Sequence, residues 1–324
     1  MYSPNALKAL NENISIDPNI KLASLDDIGG VMPKATLILD GNMLKTSPRE
    51  DFNYLAKATR GKKDVPQNEH FFIWLANQTN MKTSSAELVK SNEDYLFLSK
   101  NFLKENQTII PFAQIINKDV HKKSELNHYF KSLDDLVEDR INLKEIHKDI
   151  FKQMLFSNTI GNFDMHSRNI SLVATRENSQ IKLSVAPAYD IVSTRAYFNH
   201  ENNAIGVNGK YEYVSIEDLL SEFNKNSLLS DKELLNISSQ ILDSISSNIS
   251  QINNSMMDKN KIKFLENYIS QRVDNYTKVV EYFSDILTNI DDKQNTQDPD
   301  TQMKNFLKEA QAQEKSKTKI QQLK

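Results

Sequence analysis

The sequence contains no cysteine, which excludes disulfide bridges, thiolate zinc sites and cysteine nucleophiles. It has no run of about 18 apolar residues and no basic-then-apolar amino terminus, so we expect neither a membrane span nor a secretory signal. The net charge is only −3, which indicates no direct nucleic-acid partner and no attraction to an acidic membrane. These absences are compatible with a reducing cytosol.

Glycine is also scarce, with seven residues in 324. The usual share is about 7%. A chain this poor in glycine is expected to keep it where the backbone requires it. Gly29 and Gly30 are adjacent, and Gly161 begins a polar segment rich in potential ligands. No glycine follows Gly209, and the sequence after it predicts helices and a polar tail.

The first half of the chain predicts a small α+β lobe after a loose polar arm of about twenty residues. Its single helix has apolar residues at three-to-four spacing from Asn68 to Thr79. A hairpin turn is expected at Gly41-Asn42. The predicted strands cover residues 35–39, 52–57, 86–90 and 95–99.

Helices dominate the prediction from Ser132 onward. The expected helices include residues 143–155, 216–223, 231–246 and 261–288, and two short strands cover 169–174 and 181–185. The expected domains are an arm with an amino-terminal lobe (1–102), a helical lobe (103–290) and a disordered or partly helical tail (291–324).

Chemistry is concentrated in the segment Gly161-Asn162-Phe163-Asp164-Met165-His166-Ser167-Arg168-Asn169, a turn between a helix and a strand. Asp190 follows a second apolar strand. Phosphoryl transfer from ATP needs one carboxylate that receives the proton of the attacking hydroxyl. It also needs an amide and a second carboxylate that hold Mg²⁺. His166 has no cysteine or second histidine nearby, which favours a hydrogen-bonding role over zinc binding.

The amino-terminal lobe offers matching groups for a nucleotide. The Gly29-Gly30 turn can bring N–H groups to phosphates, Lys57 can supply a point charge, and Glu69 can steady that lysine. A hinge that reads adenine is expected over residues 98–102, including Lys100 and Phe102. Taken singly, these features are typical of an ordinary turn, a surface lysine and a first-turn acid. Their order along the chain is what favours a kinase.

At these residues the chain resembles the HipA-like serine/threonine kinases, the toxin components of bacterial toxin–antitoxin systems. Four stretches carry the resemblance: residues 160–169, the stretch Ala186-Pro187-Ala188-Tyr189-Asp190-Ile191-Val192-Ser193-Thr194, residues 204–210 and, upstream, residues 29–35, which resemble the family's glycine-rich loop. The resemblance implies a two-lobed, protein-kinase-like α+β fold with a β-rich amino-terminal lobe and a mainly helical carboxy-terminal lobe. It also implies that Asp164 is the catalytic aspartate and that Asn169 and Asp190 hold Mg²⁺.

Two departures from the family pattern concern regulation. The glycine turn arrives within thirty residues, which resembles the short, HipT-like form without the extra amino-terminal subdomain. The family usually has an autophosphorylated serine in the glycine-rich loop, where this chain has Asp27, with Ser24 three residues earlier. Asp27 as a mimic of the phosphorylated state, and control moved to Ser24, are two hypotheses that follow.

The resemblance further implies a bacterial cytoplasmic kinase that phosphorylates a protein such as an aminoacyl-tRNA synthetase and thereby blocks translation. The expected partners are a HipB-like helix-turn-helix antitoxin and a small HipS-like protein. Three alternatives stay open at this point: a small-molecule or lipid kinase, a nucleotide-binding pseudokinase, and a secreted effector kinase that acts in a host cell.

Overall fold

A computed structural model describes Tyr2 and residues 15–16, 34–41, 43–47, 52–58, 64–91, 94–116, 123–178 and 180–292. Within these ranges the chain divides into a sheet with one helix against it and a larger, mainly helical part. The predicted α+β class, with its β-rich first lobe and helical second lobe, is confirmed.

The first lobe is built on a six-stranded sheet in which all neighbours are antiparallel except β1 and β3. Helix α1 (Val65–Gln78) packs against two of the strands, β5 and β6. The strands are β1 (Ser15–Ile16), β2 (Lys34–Asp40), β3 (Met43–Thr46), β4 (Tyr54–Lys57), β5 (Ala86–Ser91) and β6 (Asp94–Lys100), in spatial order β1-β3-β2-β4-β6-β5.

The register of β4 and β6 decides which side chains face the second lobe. Lys57 lies opposite Phe97, and its ammonium is 5.5 Å from the centre of that ring. Because side chains alternate along a strand, Leu98 and Lys100 point to the other face of the sheet. Leu98 belongs there to a small apolar cluster with Ala35, Leu37, Leu44 and Ala56.

The second lobe contains six helices in the described ranges: α2 (Phe112–Ile115), α3 (Leu126–Leu136), α4 (Arg140–Ile160), α5 (Ile216–Asn226), α6 (Asp231–Asn248) and α7 (Lys259–Asp292). Two three-stranded sheets accompany them. One has the order β10-β9-β7 and consists of β7 (Gln107–Pro111), β9 (Ser171–Glu177) and β10 (Gln180–Val185). The other has the order β12-β11-β8 and consists of β8 (Ser124–Glu125), β11 (Asn202–Val207) and β12 (Lys210–Glu212).

One large apolar core joins the two lobes. It includes Phe71 and Phe72 of α1, Phe97 of β6 and the buried face of α4, and it extends through α5, α6 and α7. Burial of this much apolar surface is the main favourable contribution to folding. Helix α1 therefore belongs to the same packed unit as the helical lobe. No helix of the described ranges is long and apolar enough to cross a membrane.

Local sequence signals set several helix boundaries. Asp139 caps α4 by accepting hydrogen bonds from the backbone N–H groups of Ile141 and Asn142. Ser215 with Asp218, and Ser230 with Glu233, form complete capping boxes at the starts of α5 and α6. These two helices begin where the sequence predicted them.

Other expectations need correction. The first twenty residues were expected to form a loose arm. Of these, Tyr2 is 2% exposed and Ser15–Ile16 pairs with β3, while the others lie outside the described residues. Strands β7, β8, β11 and β12 were not predicted. Helix α7 continues to Asp292, past the expected start of the tail, while residues 293–324 lie outside the described ranges.

Candidate active site

A tightly folded turn between α4 and β9 presents Asp164. Helix α4 ends at Gly161, whose φ of +72° is the left-handed conformation that glycine adopts readily. A Cβ at this position would lie 2.9 Å from the Cβ of Arg195, so a side chain is excluded by packing as well. The predicted use of a scarce glycine here therefore has a clear steric reason.

The hydrogen bonds within this turn fix its predicted site residues relative to one another. The backbone N–H of His166 donates to the Asp164 carbonyl at 2.9 Å, and that of Asn169 donates to the His166 carbonyl at 2.8 Å. The Asn169 side-chain Nδ2 donates to the Asp164 carbonyl at 3.1 Å, and His166 Nδ1 accepts from the Arg168 N–H at 3.2 Å. Asn169 is buried by this arrangement, while Asp164 is exposed at the surface.

Asp190 is held in an unusual backbone conformation next to this turn. Its φ is +57°, which is uncommon for a residue with a Cβ and is concentrated at functional positions. The preceding Tyr189 fixes the segment, because its hydroxyl is 2.6 Å from Ser171 Oγ and donates to the Arg168 carbonyl at 2.6 Å. Ala188 exchanges backbone hydrogen bonds with residues 82–84, so the strained residue follows a rigid support.

Lys57 connects the two lobes through two carboxylates. Its Nζ donates to Glu69 Oε1 at 2.6 Å and to Asp190 Oδ1 at 2.6 Å. The Lys57 and Glu69 side chains are only 5% and 1% exposed, whereas the Asp190 side chain is 31% exposed. The contact between Lys57 and Glu69 that the sequence suggested is present, and the cluster opens to solvent at Asp190.

The charges around Lys57 keep it protonated. Burial alone lowers the pKa of a lysine, but the charges of Asp190 and Glu69 and the hydrogen bonds to both outweigh it. The pKa of Lys57 therefore stands above its ordinary value. A fixed positive charge directly behind the solvent-exposed Asp190 is suited to a polyanion such as a nucleotide triphosphate.

The structure describes Phe102 and Lys100 among the remaining residues that were predicted to contact the nucleotide. Phe102 follows β6, and its ring stacks on Tyr189 at 6.1 Å between centroids, next to Asp190. Lys100 is the last residue of β6, its side chain faces away from Lys57, and its N–H donates to the Ser85 carbonyl. The hinge expected over residues 98–102, with Lys100 and Phe102, concerns backbone groups and stays a prediction. Gly29 and Gly30, like Ser24 and Asp27, lie outside the described residues.

The donor set at this site suits magnesium. Asn169 and Asp190 line one small cavity, which also contains the polar side chains of Gln153, Ser157 and Asn162. One amide oxygen and one carboxylate match an ion that takes few protein ligands and keeps its waters. Among the described residues no group of three or more His, Asp or Glu could hold a metal ion. Asn169 and Asp190 would hold the ion.

Two polar residues beside the site, Asn68 and Ser193, and one at the start of α1, Asp64, were not predicted from the sequence. Asn68 and Ser193 are fully buried and hydrogen-bonded to each other, and Asp64 precedes α1 with a φ of +71°. The Asp64 carboxylate accepts from Lys261 Nζ at 2.7 Å and from the Asp258 N–H at 2.9 Å, which ties α1 to α7. The sequence feature that could have revealed Asn68 is its position, since it is an amide on the apolar side of a helix and next to Glu69.

A family comparison agrees with this geometry. The model of the HipA-like C-terminal domain family matches residues 27–249, more than half of the chain. The chain belongs to this family. A Haemophilus influenzae protein described as "Putative kinase" is 26% identical over 231 residues, which cover 60% of this chain. The HipA-like chain spans 64% of the length of that relative.

Solved structures support the same fold. The HipA of Shewanella oneidensis, determined with HipB and operator DNA, superposes with a TM-score of 0.65 at 18% identity and covers 80% of this chain and 66% of its own. The proinflammatory kinase CtkA of Helicobacter pylori gives a TM-score of 0.57 at 17% identity, over 79% of this chain and 93% of its own. The HipA-like chain thus has the two-lobed architecture of these kinases.

Proposed function

We propose that the protein is an ATP- and Mg²⁺-dependent kinase that phosphorylates serine or threonine in a protein. The observation that carries the proposal is the Lys57 cluster. A buried lysine from the sheet lobe contacts both an acid of α1 and Asp190, which shares a small cavity with Asn169. Kinase-type phosphoryl transfer depends on such a lysine–glutamate pair and on a metal-binding aspartate.

The residues of this chain would divide the work as follows. Asp164, on the exposed side of a rigid turn, would orient the acceptor hydroxyl and take its proton. Lys57 would place its positive charge against the phosphates, and Glu69 would hold that charge in position. When bound, Mg·ATP supplies the phosphoryl group and neutralises part of its developing charge. Positioning and electrostatic stabilisation thus account for most of the expected catalysis.

The substrate and partners belong to the proposal as well. Family membership supports a bacterial protein as acceptor, with an aminoacyl-tRNA synthetase and inhibited translation as the specific expectation. The Shewanella HipA was solved with HipB, which supports a HipB-like antitoxin as partner. A small HipS-like partner rests on the short, HipT-like form of the sequence.

The decisive experiment compares wild type with Asp164→Ala in a bacterial lysate with γ-labelled ATP and Mg²⁺, followed by phosphoproteomics. Transfer to a protein is expected with wild type only, with a loss of about 10²–10⁴-fold in the variant because general-base catalysis has this magnitude. Label confined to small molecules would move the protein to the metabolite kinases. Absence of label with intact ATP binding would favour a nucleotide-binding pseudokinase or an acceptor from a host cell.

Nucleotide binding tests the separate roles of the two aspartates. Asp164→Ala should bind Mg·ATP about as well as wild type, because Asp164 is assigned to the acceptor hydroxyl. Asp190→Ala should bind Mg·ATP more weakly, because it loses a metal ligand and a partner of Lys57. Isothermal titration of both variants measures this difference, and an equal loss of affinity would contradict the assignment.

A further inference from the structure

A buried amide next to Glu69 bridges the two lobes. Asn68 is fully buried in α1, and its Nδ2 donates to the Ser193 carbonyl at 3.3 Å. Its Oδ1 accepts from the Ser193 N–H at 2.9 Å. Both polar ends of one side chain thus pair with the backbone of a single residue, which fixes the helix in position and in rotation relative to that residue.

Ser193 in turn is anchored to the catalytic turn and linked to Asp190. Its hydroxyl donates to the carbonyl of Ile160, the last residue of α4, at 2.7 Å. Only two residues, Ile191 and Val192, separate it along the chain from Asp190. The segment that carries Asp190 is therefore held from both sides, by Tyr189 before it and by Ser193 after it.

These contacts form a closed ring. Lys57 contacts Glu69, Glu69 follows Asn68, Asn68 pairs with Ser193, the chain leads from Ser193 back to Asp190, and Asp190 contacts Lys57. Helix α1 cannot withdraw or rotate without breaking the Asn68 hydrogen bonds. The same movement would pull Glu69 away from Lys57, because Asn68 and Glu69 are successive residues of one helix and move together.

We propose that Asn68 is a positioning residue of the phosphotransfer site, which keeps Glu69 and Asp190 in register with Lys57. The inference rests on the proposed kinase function for its catalytic consequence. Its structural part, that Asn68 holds α1 against the Asp190 segment, stands independently of that function. Asn68 itself has no contact with the reacting atoms in this scheme and acts through Glu69 and Asp190.

The kinetic test uses Asn68→Ala and Asn68→Asp, assayed well below the Tm of each variant. Asn68→Ala should lower kcat by about 10–100-fold and raise KM for ATP, because small misplacements of a catalytic constellation have costs of this size. Asn68→Asp keeps an acceptor for the Ser193 N–H but loses the donor, and it should retain activity between those of Asn68→Ala and wild type.

Two control variants separate positioning from stability. Asn142→Ala removes a side-chain hydrogen bond to the Leu183 carbonyl, far from the ring, and Ile241→Ala lowers stability from the core of α6. Both should lower Tm and leave kcat and KM near wild type. An Asn68→Ala protein with a Tm as low as that of Ile241→Ala but wild-type kcat and KM would overturn the proposal.

Amide hydrogen exchange supplies a readout that does not need activity. Asn68→Ala should exchange faster than wild type in residues 65–78 and 190–196, with α5 unchanged, because the ring is what ties these segments together. Unchanged exchange in both segments would refute the positioning role even if the enzyme is active. Faster exchange in Asn68→Ala, combined with no phosphotransfer by the wild-type protein, would instead retain the positioning role and reject the kinase function.

Discussion

Two buried cations, Lys57 and Arg272, have similar surroundings and contrasting roles. Lys57 sits between Glu69 and Asp190 at the junction of the lobes. Arg272 of α7 lies inside the helical lobe, where its guanidinium donates to Glu201 Oε2 at 2.9 Å and to Asn158 Oδ1 at 3.0 Å. In both, burial disfavours the charge and lowers the pKa, but nearby partners more than compensate and the pKa is raised.

The difference between them is how each cluster ends. Arg272 is enclosed by the rings of Tyr276, Tyr268 and Phe163, with its centre 5.2–5.9 Å from their centroids. The Lys57 cluster opens to solvent at Asp190, whose backbone is in the left-handed region. A charge network enclosed by aromatic rings, with its side chains only 12% and 16% exposed, stabilises the fold. One that ends at a half-exposed, strained carboxylate leaves room for a ligand.

Among the variants that test this comparison of Lys57 with Arg272, the largest effect is expected from Lys57→Met. The change removes the charge assigned to the phosphates and should reduce kcat/KM by about 100-fold or more, as the loss of a preorganised electrostatic contact does. It also leaves Glu69 buried without its cation, so stability should fall. Steady-state kinetics and urea unfolding measure the two losses separately.

The double variant Lys57→Met with Glu69→Met sharpens this result. Removing both charges should restore much of the lost stability, since buried ion pairs are often replaceable by apolar side chains. Activity should stay as low as in the single variant. Recovery of activity with stability would mean that the Lys57 cluster is structural, like that of Arg272, and the comparison would fail.

A stability loss without a catalytic loss is expected from Arg272→Met. Glu201 would remain largely buried without its cation, and the unfolding free energy should fall by about 3 kcal/mol. The kcat of the folded protein, measured at a temperature well below Tm, should stay near wild type because the Lys57 cluster is untouched. A large drop in kcat would show that the two networks are coupled.

The smallest effect concerns two buried histidines outside both clusters. Burial lowers the pKa of His70 and of His147 from 6.5 to about 4. Between these values the unfolded chain binds protons that the folded chain does not, so the unfolding free energy falls as pH decreases through this window and is level above it. By pH 5.5 each histidine should account for a loss of roughly 1 kcal/mol.

Urea unfolding of wild type and His147→Asn at pH 7 and pH 5.5 tests this expectation. Asparagine keeps an acceptor for the Leu228 N–H, which His147 Nδ1 now accepts at 3.1 Å. Between pH 7 and pH 5.5 the unfolding free energy of the variant should fall by roughly 1 kcal/mol less than that of wild type, because one histidine is absent. Comparison with wild type is needed because Glu87, whose pKa burial raises to about 7, acts in the opposite direction. An identical pH dependence in both proteins would contradict the buried, neutral state of His147.

The sequence was most informative where a structural feature depends on neighbouring residues. Helices α5 and α6 begin at the predicted residues because their capping boxes lie within four residues of sequence. The strands missed by prediction depend on distant partners instead. Ser124 of the two-residue β8 pairs with Ile205, and no local pattern in residues 124–125 records that pairing.

The candidate site shows the same division. Motif order brought Asp164, Asn169, Asp190, Lys57 and Glu69 together as expectations, and their roles stay predictions for the experiments above. The face on which the Lys100 side chain lies was not predicted, because it depends on register, which the sequence did not specify. Asn68 was missed because the sequence does not show which residue an amide in an amphipathic helix contacts, and its partner, Ser193, is distant in sequence.

The sequence by itself determined the α+β class, the main helices and the chemical inventory of the site, because periodicity, caps and motifs are local properties. Only the tertiary structure decided that Lys57 contacts Asp190, 133 residues away, and that Asn68 pairs with Ser193. It also decided that the Arg272 network is closed and the Lys57 network open. Such contacts depend on how separate elements pack around one core, and packing is a property of the whole fold.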